Sequence, residues 1–493
     1  MNYKEELIKI LSPITGLFDK DIITIIEKPK DESFGDFAFP CFILSKEKKL
    51  SPDAIAQDIH NQFSSELFST TVAGPYLNIK IIDPLFIPNK ILDIINSSKL
   101  IKQSQNNKTV LVESPSPNTN KPLHLGHLRN ILLGQSLVSL LKAIGSNAKI
   151  VNVINDRGVH ICKSMLAYKL WGEGSTPESS GMKSDHFVGK WYVRFAEESS
   201  KSEKAKKELE SQAQDMLILW EKQDSEVMAL WDKMNEWAYI GWDETFKKLN
   251  FKIDKNYYES KTYQGGKDII LSALDEGLFE KSEDGAVIVD LSSKNLDKKV
   301  LLRSNGTSVY ITQDINLAKI RYTDFKFDEL IYVVGNEQEY HFKVLFEIFN
   351  ILNFSFADSC SHFSYGMIEL PEGKMKSREG NVIDTDDLLE QTISMAKEAV
   401  NERYSDIDNL ELEKRSELIA LGAIRFFFLK HDSLKNFVFD PKESLSFEGE
   451  TGPYIQYTYA RISSILRKSE TDYKNADLSL LKTLEDKSLT KLL

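Results

Sequence analysis

An alternation of strand-like and helix-like runs between residues 109 and 171 constrains the fold of this chain most strongly. Strand-like runs at 109–113 and 148–155 are each followed by a run with helical periodicity, at about 125–144 and 159–171. Alternation of this kind indicates parallel strands joined by crossover helices. We therefore predict a doubly wound, Rossmann-type α/β domain.

Four domains are predicted from the changes of pattern along the chain. They are residues 1–100, a small α+β domain with a linker; 101–371, the Rossmann-type domain; 372–440, a loop and connecting helical region; and 441–493, the start of a helical domain. Charged, Trp-rich runs at about 172–251 predict a helical insertion within the second domain. Local patterns also predict a first helix that ends before Pro13, and strands at 22–26 and 309–312.

Length and composition set the broad class of protein. A chain of 493 residues is too long for a single hydrophobic core, which agrees with several domains. It contains no apolar run of the roughly 20 residues that a membrane helix needs, and it starts without a signal-peptide core, so we expect a cytoplasmic protein without membrane contact. Three separated cysteines argue against a disulfide framework and a cysteine-based metal site. The formal net charge of −12 means that any nucleic-acid site must be a confined basic patch.

The segment SPNTNKPLHLGHLR (116–129) joins the first strand of this alternation to its first helix. Pro122 suits the first turn of a helix, and Gly126 removes a Cβ where a ligand comes close to the backbone. His124 and His127 share that turn, where free backbone N–H groups favour an anion such as phosphate. Taken alone, HLGH also fits a helix start with two surface histidines.

A second basic segment, GKMKSREGN (373–381), follows another strand-like run far downstream. Taken alone it is typical of a solvated turn, but a lysine-rich loop is also what a polyphosphate leaving group requires. In this order and on these local structures, the two segments resemble the two signatures of the class I aminoacyl-tRNA synthetases. The resemblance implies that an amino acid is activated with ATP, and that Mg²⁺ accompanies the ATP, bound mainly by its phosphates.

Further segments make the resemblance more specific. The chain resembles the arginyl-tRNA synthetases over nearly its whole length, through NDRGVHICKSM (155–165), VYITQDINLAKIRY (309–322), YVVGNEQEYH (332–341) and TGPYIQYTYARI (451–462). This implies a ligase that activates L-arginine with ATP to arginyl-adenylate. The arginyl group then passes to the 2′-hydroxyl of the terminal adenosine of tRNA(Arg), with release of AMP and pyrophosphate.

The resemblance implies an arginine site that consists of Glu113, Asn118, Tyr310, Asp314 and Gln338. A guanidinium group has five donors and no acceptor, so two carboxylates around its plane are the best means to select it over lysine. Glu113 and Asp314 fit this task, and both are expected at the carboxyl ends of strands, where doubly wound sheets bind ligands. Each residue also has a local interpretation, for example Asp314 as the cap of a helix that begins at the next residue.

The same resemblance implies the nucleotide site. Its residues are Pro117, His124, Gly126, His127, His341, Lys374 and Met375, with Gly126 under the adenine and His341 near the nucleoside. Ser377 stands where the second signature usually has its second lysine, so another lysine is expected to replace it. Lys121 is the favoured replacement and Lys376 the second candidate. With His124, His127 and Lys374 they form the predicted catalytic group.

Two flanking segments resemble tRNA-contacting parts of the family. Phe37 and Phe39 are candidates for contacts with tRNA, although phenylalanines at alternate positions are more typical of the inner face of a strand. Tyr454, Tyr457 and Arg461 lie at the start of the helical anticodon-binding domain. This domain is expected to be incomplete at the end of the chain, and the resemblance implies a monomer.

Three other interpretations stay open on the sequence. A different class I synthetase is disfavoured, because a neutral amino acid has no use for Glu113 and Asp314. A smaller nucleotidyltransferase with an HxGH motif leaves the flanking domains unexplained. A catalytically impaired tRNA-binding fragment or paralogue of a class I synthetase is the main alternative, because C-terminal helices are expected to be missing.

Overall fold

The computed structural model describes residues 3–29, 31–83, 106–369, 384–404, 406–439 and 449–469, and single residues at 86, 91, 443, 446, 477, 480, 481 and 486. The chain divides into two compact units, Met1–Lys102 with Ser469–Leu493, and Gln103–Lys468. The basic segment 373–381, with Lys374, Met375 and Lys376, lies outside the described residues.

The first unit is a three-stranded antiparallel sheet with helices. Its elements are α1 (Tyr3–Thr15), α2 (Asp19–Ile25), β1 (Phe37–Pro40), α3 (Ser45–Lys48), α4 (Pro52–Gln62), β2 (Phe68–Ala73) and β3 (Tyr76–Ile81), with the strand order β1-β3-β2. The strand predicted at 22–26 is wrong, because most of this run lies in α2. Ile22 and Ile26 are its buried side chains, and a spacing of four residues is about one helical turn. Helix α1 also continues through Pro13, and its last residue, Thr15, is buried.

The second unit is larger and alternates between strands and helices. In chain order its elements are β4 (Thr109–Glu113), α5 (Leu125–Ala143), β5 (Asn147–Ile154), α6 (Val159–Trp171), α7 (Pro177–Ser180), α8 (Ser184–Ser200), α9 (Glu203–Glu221), α10 (Ser225–Lys248), β6 (Lys255–Tyr258), α11 (Glu259–Thr262), α12 (Gly265–Asp275), β7 (Glu280–Lys281), β8 (Val287–Val289), β9 (Lys299–Leu302), α13 (Tyr310–Phe325), β10 (Glu329–Gly335), α14 (Glu339–Ile351), β11 (Cys360–Tyr365), β12 (Ile368–Glu369), α15 (Thr385–Arg403), α16 (Asn409–Leu429), β13 (Phe437–Val438) and α17 (Gly452–Lys468).

A five-stranded sheet with the order β11-β10-β4-β5-β6 forms the centre of this unit, and each neighbouring pair is parallel. The predicted doubly wound fold is therefore confirmed. Val110 and Val112 of β4 pack into one hydrophobic core and Leu111 into another, as expected for a parallel strand covered on both faces. The chain runs from β4 to β5 and β6 on one side and later returns to β10 and β11 on the other. The carboxyl ends of β4 and β10 flank this change of direction, where doubly wound sheets bind their ligands.

Helices α7 to α10 lie between β5 and β6 in the chain, in the region of the predicted helical insertion. Their tryptophans are packing residues: Trp191, Trp220 and Trp237 are almost fully buried in one cluster. Trp242 faces the sheet and belongs to the core that includes Val110 and Val112. The insertion therefore packs directly against the five-stranded sheet.

The strand predicted at 309–312 is wrong, because these residues form the start of α13. β-Branched and aromatic side chains favour a strand locally, but the run continues into a helix of 16 residues. Ile311, Ile315 and Ala318 are among its buried side chains, and their spacings of four and three residues are helical. This change moves Asp314 from the end of a strand into a helix.

The last part of the unit contains helices α15 to α17 and the short parallel pair β12 and β13. The runs 386–403, 413–429 and 453–468 look helical in the sequence, and they correspond to α15, α16 and α17 within a few residues. Among the described residues, no helix is both long and apolar enough to cross a membrane.

Candidate active site

The loop that follows β4 is fixed to the end of β5. The backbone N–H of Ser116 donates to Asn152 Oδ1 at 2.9 Å, and the N–H of Asn155 donates to the carbonyl of Pro117 at 3.0 Å. Asn118 then forms a parallel bridge with Asn155. These bonds hold Pro117 in a buried position and place Asn118 at the carboxyl edge of the sheet.

The two histidines of HLGH lie against each other at the start of α5. Their ring centroids are 3.9 Å apart, and His124 is the N-cap residue of the helix. His124 Nδ1 accepts from the N–H of Gly126 at 3.1 Å, and His127 Nδ1 accepts from the N–H of His124 at 3.2 Å. A neutral imidazole whose Nδ1 is an acceptor carries its proton on Nε2. Each ring therefore has one Nε2–H group that can donate to a ligand.

Burial keeps both imidazoles neutral. It lowers the pKa of His124 to about 4 and that of His127 well below its usual range, and the charge of Lys121 lowers both further. Burial lowers the pKa of Lys121 as well. Lys121 precedes His124 by three residues in the same loop. Gly126 has a local role, since a Cβ at this position would lie 2.9 Å from His124 Cε1.

The chain returns to this place after the segment that carries the second signature. Asp384 forms an antiparallel bridge with His124, and the N–H of Thr385 donates to the carbonyl of Leu123 at 2.9 Å. Lys374, Met375 and Lys376, which were assigned to the same site, are outside the described residues. Asp384 is nevertheless only eight residues after Lys376 in the sequence.

Glu113 is buried at the end of β4, and its carboxylate already has a cationic partner. Arg321 of α13 is completely buried, and its Nη1 lies 2.5 Å from Glu113 Oε2. Ser116 Oγ donates to the other oxygen, Oε1, at 3.1 Å. The sequence analysis did not identify Arg321 as a partner of Glu113. The signal was present in VYITQDINLAKIRY, where this arginine follows Asp314 by seven residues, or two helical turns.

Asp314 lies in the second turn of α13, and not at the end of a strand as predicted. Its Oδ2 is 2.8 Å from Nε2 of His341, in the first turn of α14. His341, which was expected near the nucleoside, thus lies beside a residue of the candidate arginine site. The helix also begins at Tyr310, so the local interpretation of Asp314 as its cap is wrong.

The buried phenol of Tyr332 is influenced by the charges of both acids. In the sheet, Tyr332 of β10 is directly opposite Glu113 of β4. Burial raises the pKa of Tyr332 well above its usual range, and the negative charges of Glu113 and Asp314 both contribute. Its hydroxyl is buried without a hydrogen-bond partner among the described residues. Glu113 therefore lies beside Tyr332 at the switch point of the sheet, and Asp314 lies two turns before Arg321, the partner of Glu113, on α13.

Two more candidates for the arginine site are exposed. Tyr310 is the first residue of α13, one turn before Asp314, and is 73% exposed. Gln338 is exposed at the N-cap of α14, three residues before His341. The described structure thus has one buried acid, Glu113, one partly exposed acid, Asp314, and an exposed aromatic and amide side chain at the starts of the helices α13 and α14.

Glu259 is a third acid at this edge of the sheet, and the sequence analysis missed it. Burial raises the pKa of Glu259 to about 7, with Arg157 acting against the rise and the charges of Asp156 and Asp314 contributing to it. Gln313, next to Asp314 in the chain, also bonds to this carboxylate. Glu259 follows β6 just as Glu113 ends β4, which is the pattern that could have found it.

The candidate tRNA-contacting residues differ in exposure. Phe39 is fully buried in the core of the first unit, so the tRNA contact predicted for it is ruled out and the inner-face interpretation holds. Phe37, two residues earlier in β1, is partly exposed. On α17, Tyr454 and Tyr457 are about half exposed, Arg461 is exposed, and their spacing of three and four residues puts them on one face.

Comparisons with known proteins agree with this architecture. Residues 90–441 match the family model described as tRNA synthetases class I (R), catalytic domain, and residues 1–81 match the arginyl tRNA synthetase N terminal domain. The arginine–tRNA ligase of Treponema denticola is 48% identical over 492 residues, which cover 94% of this chain and 82% of that protein. The arginine–tRNA ligase of Bacteroides thetaiotaomicron is 44% identical over 495 residues, covering 95% and 82%.

A solved structure is similar over the same extent. The arginyl-tRNA synthetase of Thermus thermophilus superimposes with a TM-score of 0.79 at 26% identity, covering 95% of this chain and 82% of that one. The Plasmodium falciparum arginyl-tRNA synthetase gives a TM-score of 0.76 at 21% identity, a likeness that concerns the fold alone.

Proposed function

The chain belongs to the arginyl-tRNA synthetases, and from that premise we propose that it activates L-arginine with ATP and transfers the arginyl group to tRNA(Arg). The observation that carries the proposal is the set of groups at this edge of the sheet: Glu113 opposite the buried Tyr332, Asp314 on the helix that contacts Glu113 through Arg321, and the paired imidazoles of His124 and His127. An anionic pocket beside a group of phosphate donors is the arrangement that arginine and ATP together require.

The proposed arginine pocket selects a planar cation by its acceptors. Glu113 keeps acceptor capacity beyond its bonds to Arg321 and Ser116, because a carboxylate offers about four lone-pair sites. Asp314 provides the second carboxylate, oriented by His341. Lysine, a point charge on a flexible stem, cannot use a fork of acceptors as a guanidinium does.

We assign the remaining pocket residues by their position. Tyr310 covers the guanidinium plane from the rim, and Gln338 bonds to its edge. Asn118, at the carboxyl edge of the sheet, binds the α-amino or α-carboxyl end of arginine. These three assignments follow from the family resemblance and from where the side chains lie.

Activation requires little acid or base catalysis. The arginine carboxylate attacks the α-phosphorus of ATP, a new carboxyl–phosphorus anhydride bond forms, and the bond between the α-phosphorus and the pyrophosphate oxygen breaks. The catalytic task is to position the reactants and to stabilise charge on the phosphates. The Nε2–H groups of His124 and His127 donate to phosphate oxygens, and Lys121 contributes positive charge in place of the missing signature lysine. Lys374 and Lys376 are assigned to the leaving pyrophosphate, and Mg²⁺ enters with ATP, bound mainly by its phosphates.

In the second step, the 2′-hydroxyl of the terminal adenosine attacks the arginyl carbonyl and AMP leaves. We propose Phe37 in the first domain and Tyr454, Tyr457 and Arg461 on α17 as tRNA contacts, since aromatic rings can stack on unpaired bases. We also propose the four domains with the boundaries given above, a monomer, and a cytoplasmic location, where tRNA is charged for translation.

The catalytically impaired fragment is not favoured. The described part of the chain contains the residues that the proposed activity needs, and this supports an active enzyme. They are His124 and His127, whose rings stack, with Lys121, Glu113 and Asp314. A neutral-substrate synthetase is disfavoured, because a neutral amino acid has no use for two carboxylates in its binding site.

The test is amino-acid-dependent pyrophosphate exchange, with each of the twenty amino acids, in the presence and absence of tRNA(Arg). Exchange that requires arginine supports the proposal, and dependence on tRNA would show that the tRNA contacts are in use. Exchange with lysine but not arginine would contradict it, and absence of exchange with every amino acid would favour the impaired fragment.

A further inference from the structure

A buried ionic cluster connects the helical insertion with the segment that reaches the nucleotide site. We call it the root cluster, and it consists of Lys183, Asp185, His186, Thr245, Asp384 and Asp386. Lys183 Nζ lies 2.6 Å from Asp386 Oδ2, 2.7 Å from Thr245 Oγ1 and 3.1 Å from Asp185 Oδ1. The carboxylates of Asp185 and Asp386 are almost fully buried, so their charges depend on these partners.

His186 is the second cation of the root cluster. Its Nε2 lies 3.2 Å from Asp386 Oδ2 and 3.3 Å from Asp384 Oδ1. Burial opposes its protonation, but the hydrogen bonds to Asp384 and Asp386 raise the pKa of His186 to about 10. Two cations therefore face three carboxylates in the cluster.

A metal ion is not needed to explain this arrangement. Ligand atoms of Asp185, His186 and Asp386 lie within 4.8 Å of one another, which suits a metal site by distance. The Lys183 ammonium and the His186 imidazolium together balance the charges of Asp185 and Asp386, and a protonated imidazole cannot bind a metal. The cluster is therefore a structural ion-pair network.

The root cluster touches the nucleotide site through Asp384. This residue caps α15, since its Oδ1 accepts from the N–H of Asp386 at 2.8 Å. Its backbone pairs with that of His124, and the next N–H, of Thr385, bonds to the carbonyl of Leu123. Asp384, a member of the root cluster, thus pairs directly with His124, the first catalytic histidine, through its backbone.

Helices α8 and α10 of the insertion, which carry Asp185, His186 and Thr245, also contact the loop just before His124. Gly189 of α8 lies against Pro122, where an added Cβ would be 2.6 Å from Pro122 Cδ. Trp242 of α10 donates from Nε1 to the carbonyl of Lys121 at 3.4 Å. The insertion thus contacts both chain segments that meet at His124.

We propose that Lys183 and His186 are positioning residues for the activation step. They hold Asp384 and Thr385 against the backbone of Leu123 and His124, and so fix the direction in which the His124 imidazole meets the ATP phosphates. This inference rests on the proposed function and deepens it, because it assigns the helical insertion a part in the binding and activation of ATP.

The test is tRNA-supplemented pyrophosphate exchange by the full chain carrying Lys183→Met. Because a misplacement of about 1 Å in a catalytic group can cost up to about a hundredfold, we expect kcat/KM for ATP to fall by at least about tenfold. The KM for arginine is expected to stay within about twofold of the parent, because its pocket is built on β4, α13 and α14. Equal increases in the KM for ATP and in the KM for arginine would indicate general destabilisation and would contradict the proposal.

Lys163→Met is the matched control. The Lys163 side chain, on α6, is 15% exposed and lies 2.6 Å from Glu210 of α9. The Lys183 side chain is 16% exposed and lies 2.6 Å from Asp386. The control should leave the kinetics for both substrates unchanged. If it lowers kcat/KM for ATP as much as Lys183→Met does, the root cluster has no special role.

Two further measurements keep the test decisive. If Lys183→Met does not fold, Thr245→Val removes one hydroxyl of the root cluster and is expected to give the same selective loss, at a few-fold. A double-mutant cycle with His124→Asn should show losses that are less than additive, since Lys183 acts through that imidazole. Additive losses would contradict the proposal, whereas a parent without arginine-dependent exchange would contradict the proposed function instead.

Discussion

For the ion pair between Glu113 and Arg321, we predict that removing both charges together recovers part of the stability lost in the single variants but recovers no activity. Arg321 is completely buried and the Glu113 side chain is 11% exposed, so removal of either charge leaves the other buried without compensation. Such a loss typically costs about 3–5 kcal/mol. We therefore expect Glu113→Gln and Arg321→Met each to lower the free energy of unfolding by about 3 kcal/mol or more.

The double variant Glu113→Gln/Arg321→Met removes both charges at once. Its loss of stability should be well below the sum of the single losses, with a coupling energy of about 2–3 kcal/mol, the upper part of the range for contacting residues. Activity should not recover with stability, because the pocket still lacks the Glu113 carboxylate. A charged hydrogen bond contributes about 1.5–3 kcal/mol, so kcat/KM for arginine should remain at least about tenfold and up to about a hundredfold below the parent.

Urea titration followed by tryptophan fluorescence gives the three stabilities, and arginine-dependent exchange gives the activities. Additive stability losses would refute the ion pair. Parental kcat/KM for arginine in the double variant would refute the assignment of Glu113 to the arginine pocket.

Three further predictions concern residues around the site. Glu259→Gln should stabilise the protein at pH 8 but not at pH 4. The pKa of Glu259 is raised from 4.5 to about 7 in the folded state, so its ionised carboxylate destabilises the fold; this destabilisation is absent below pH 4.5 and complete above pH 7. Urea titration at both pH values should show a gain of about 3 kcal/mol at most, at pH 8 only. Lys121→Ala should lower the rate of tRNA-supplemented exchange more than Lys376→Ala, and a parental rate for Lys121→Ala would overturn this assignment. Gly126→Ala should displace the His124 ring and lower kcat by about tenfold; unchanged kcat would show that the ring has room to move.

The fold could be predicted where local pattern and tertiary structure agree. Helix α6 has the predicted limits, Val159–Trp171, because the glycines Gly158 and Gly172 mark its two ends in the sequence. The runs at 22–26 and 309–312 were assigned to strands because short β-branched segments carry no clear period. Whether such a run forms a strand or a helix is decided by which of its side chains are buried, and this depends on the elements that pack against it.

The site could be predicted in composition but not in its pairing. Glu113 and Asp314 were found through the resemblance and the chemistry of a guanidinium, yet Arg321 lies 208 residues from Glu113 in the sequence, and local pattern does not report so distant a contact. His341 was assigned near the nucleoside by resemblance, and its contact with Asp314, 27 residues away in the sequence, was not expected. The root cluster was missed for the same reason, since Lys183 and Asp386 are 203 residues apart.

The most direct test of the arginine pocket compares arginine with citrulline, in which a carbonyl oxygen replaces one terminal nitrogen donor and the charge is lost. A site built from Glu113 and Asp314 turns that oxygen towards carboxylates, and polar sites of this kind reject such analogues by about 10⁴–10⁵. We predict a ratio of kcat/KM for arginine over citrulline of at least about 10⁴ in tRNA-supplemented exchange, and a smaller ratio for Asp314→Asn. A parental ratio below about tenfold would contradict a pocket in which two acids recognise one planar cation.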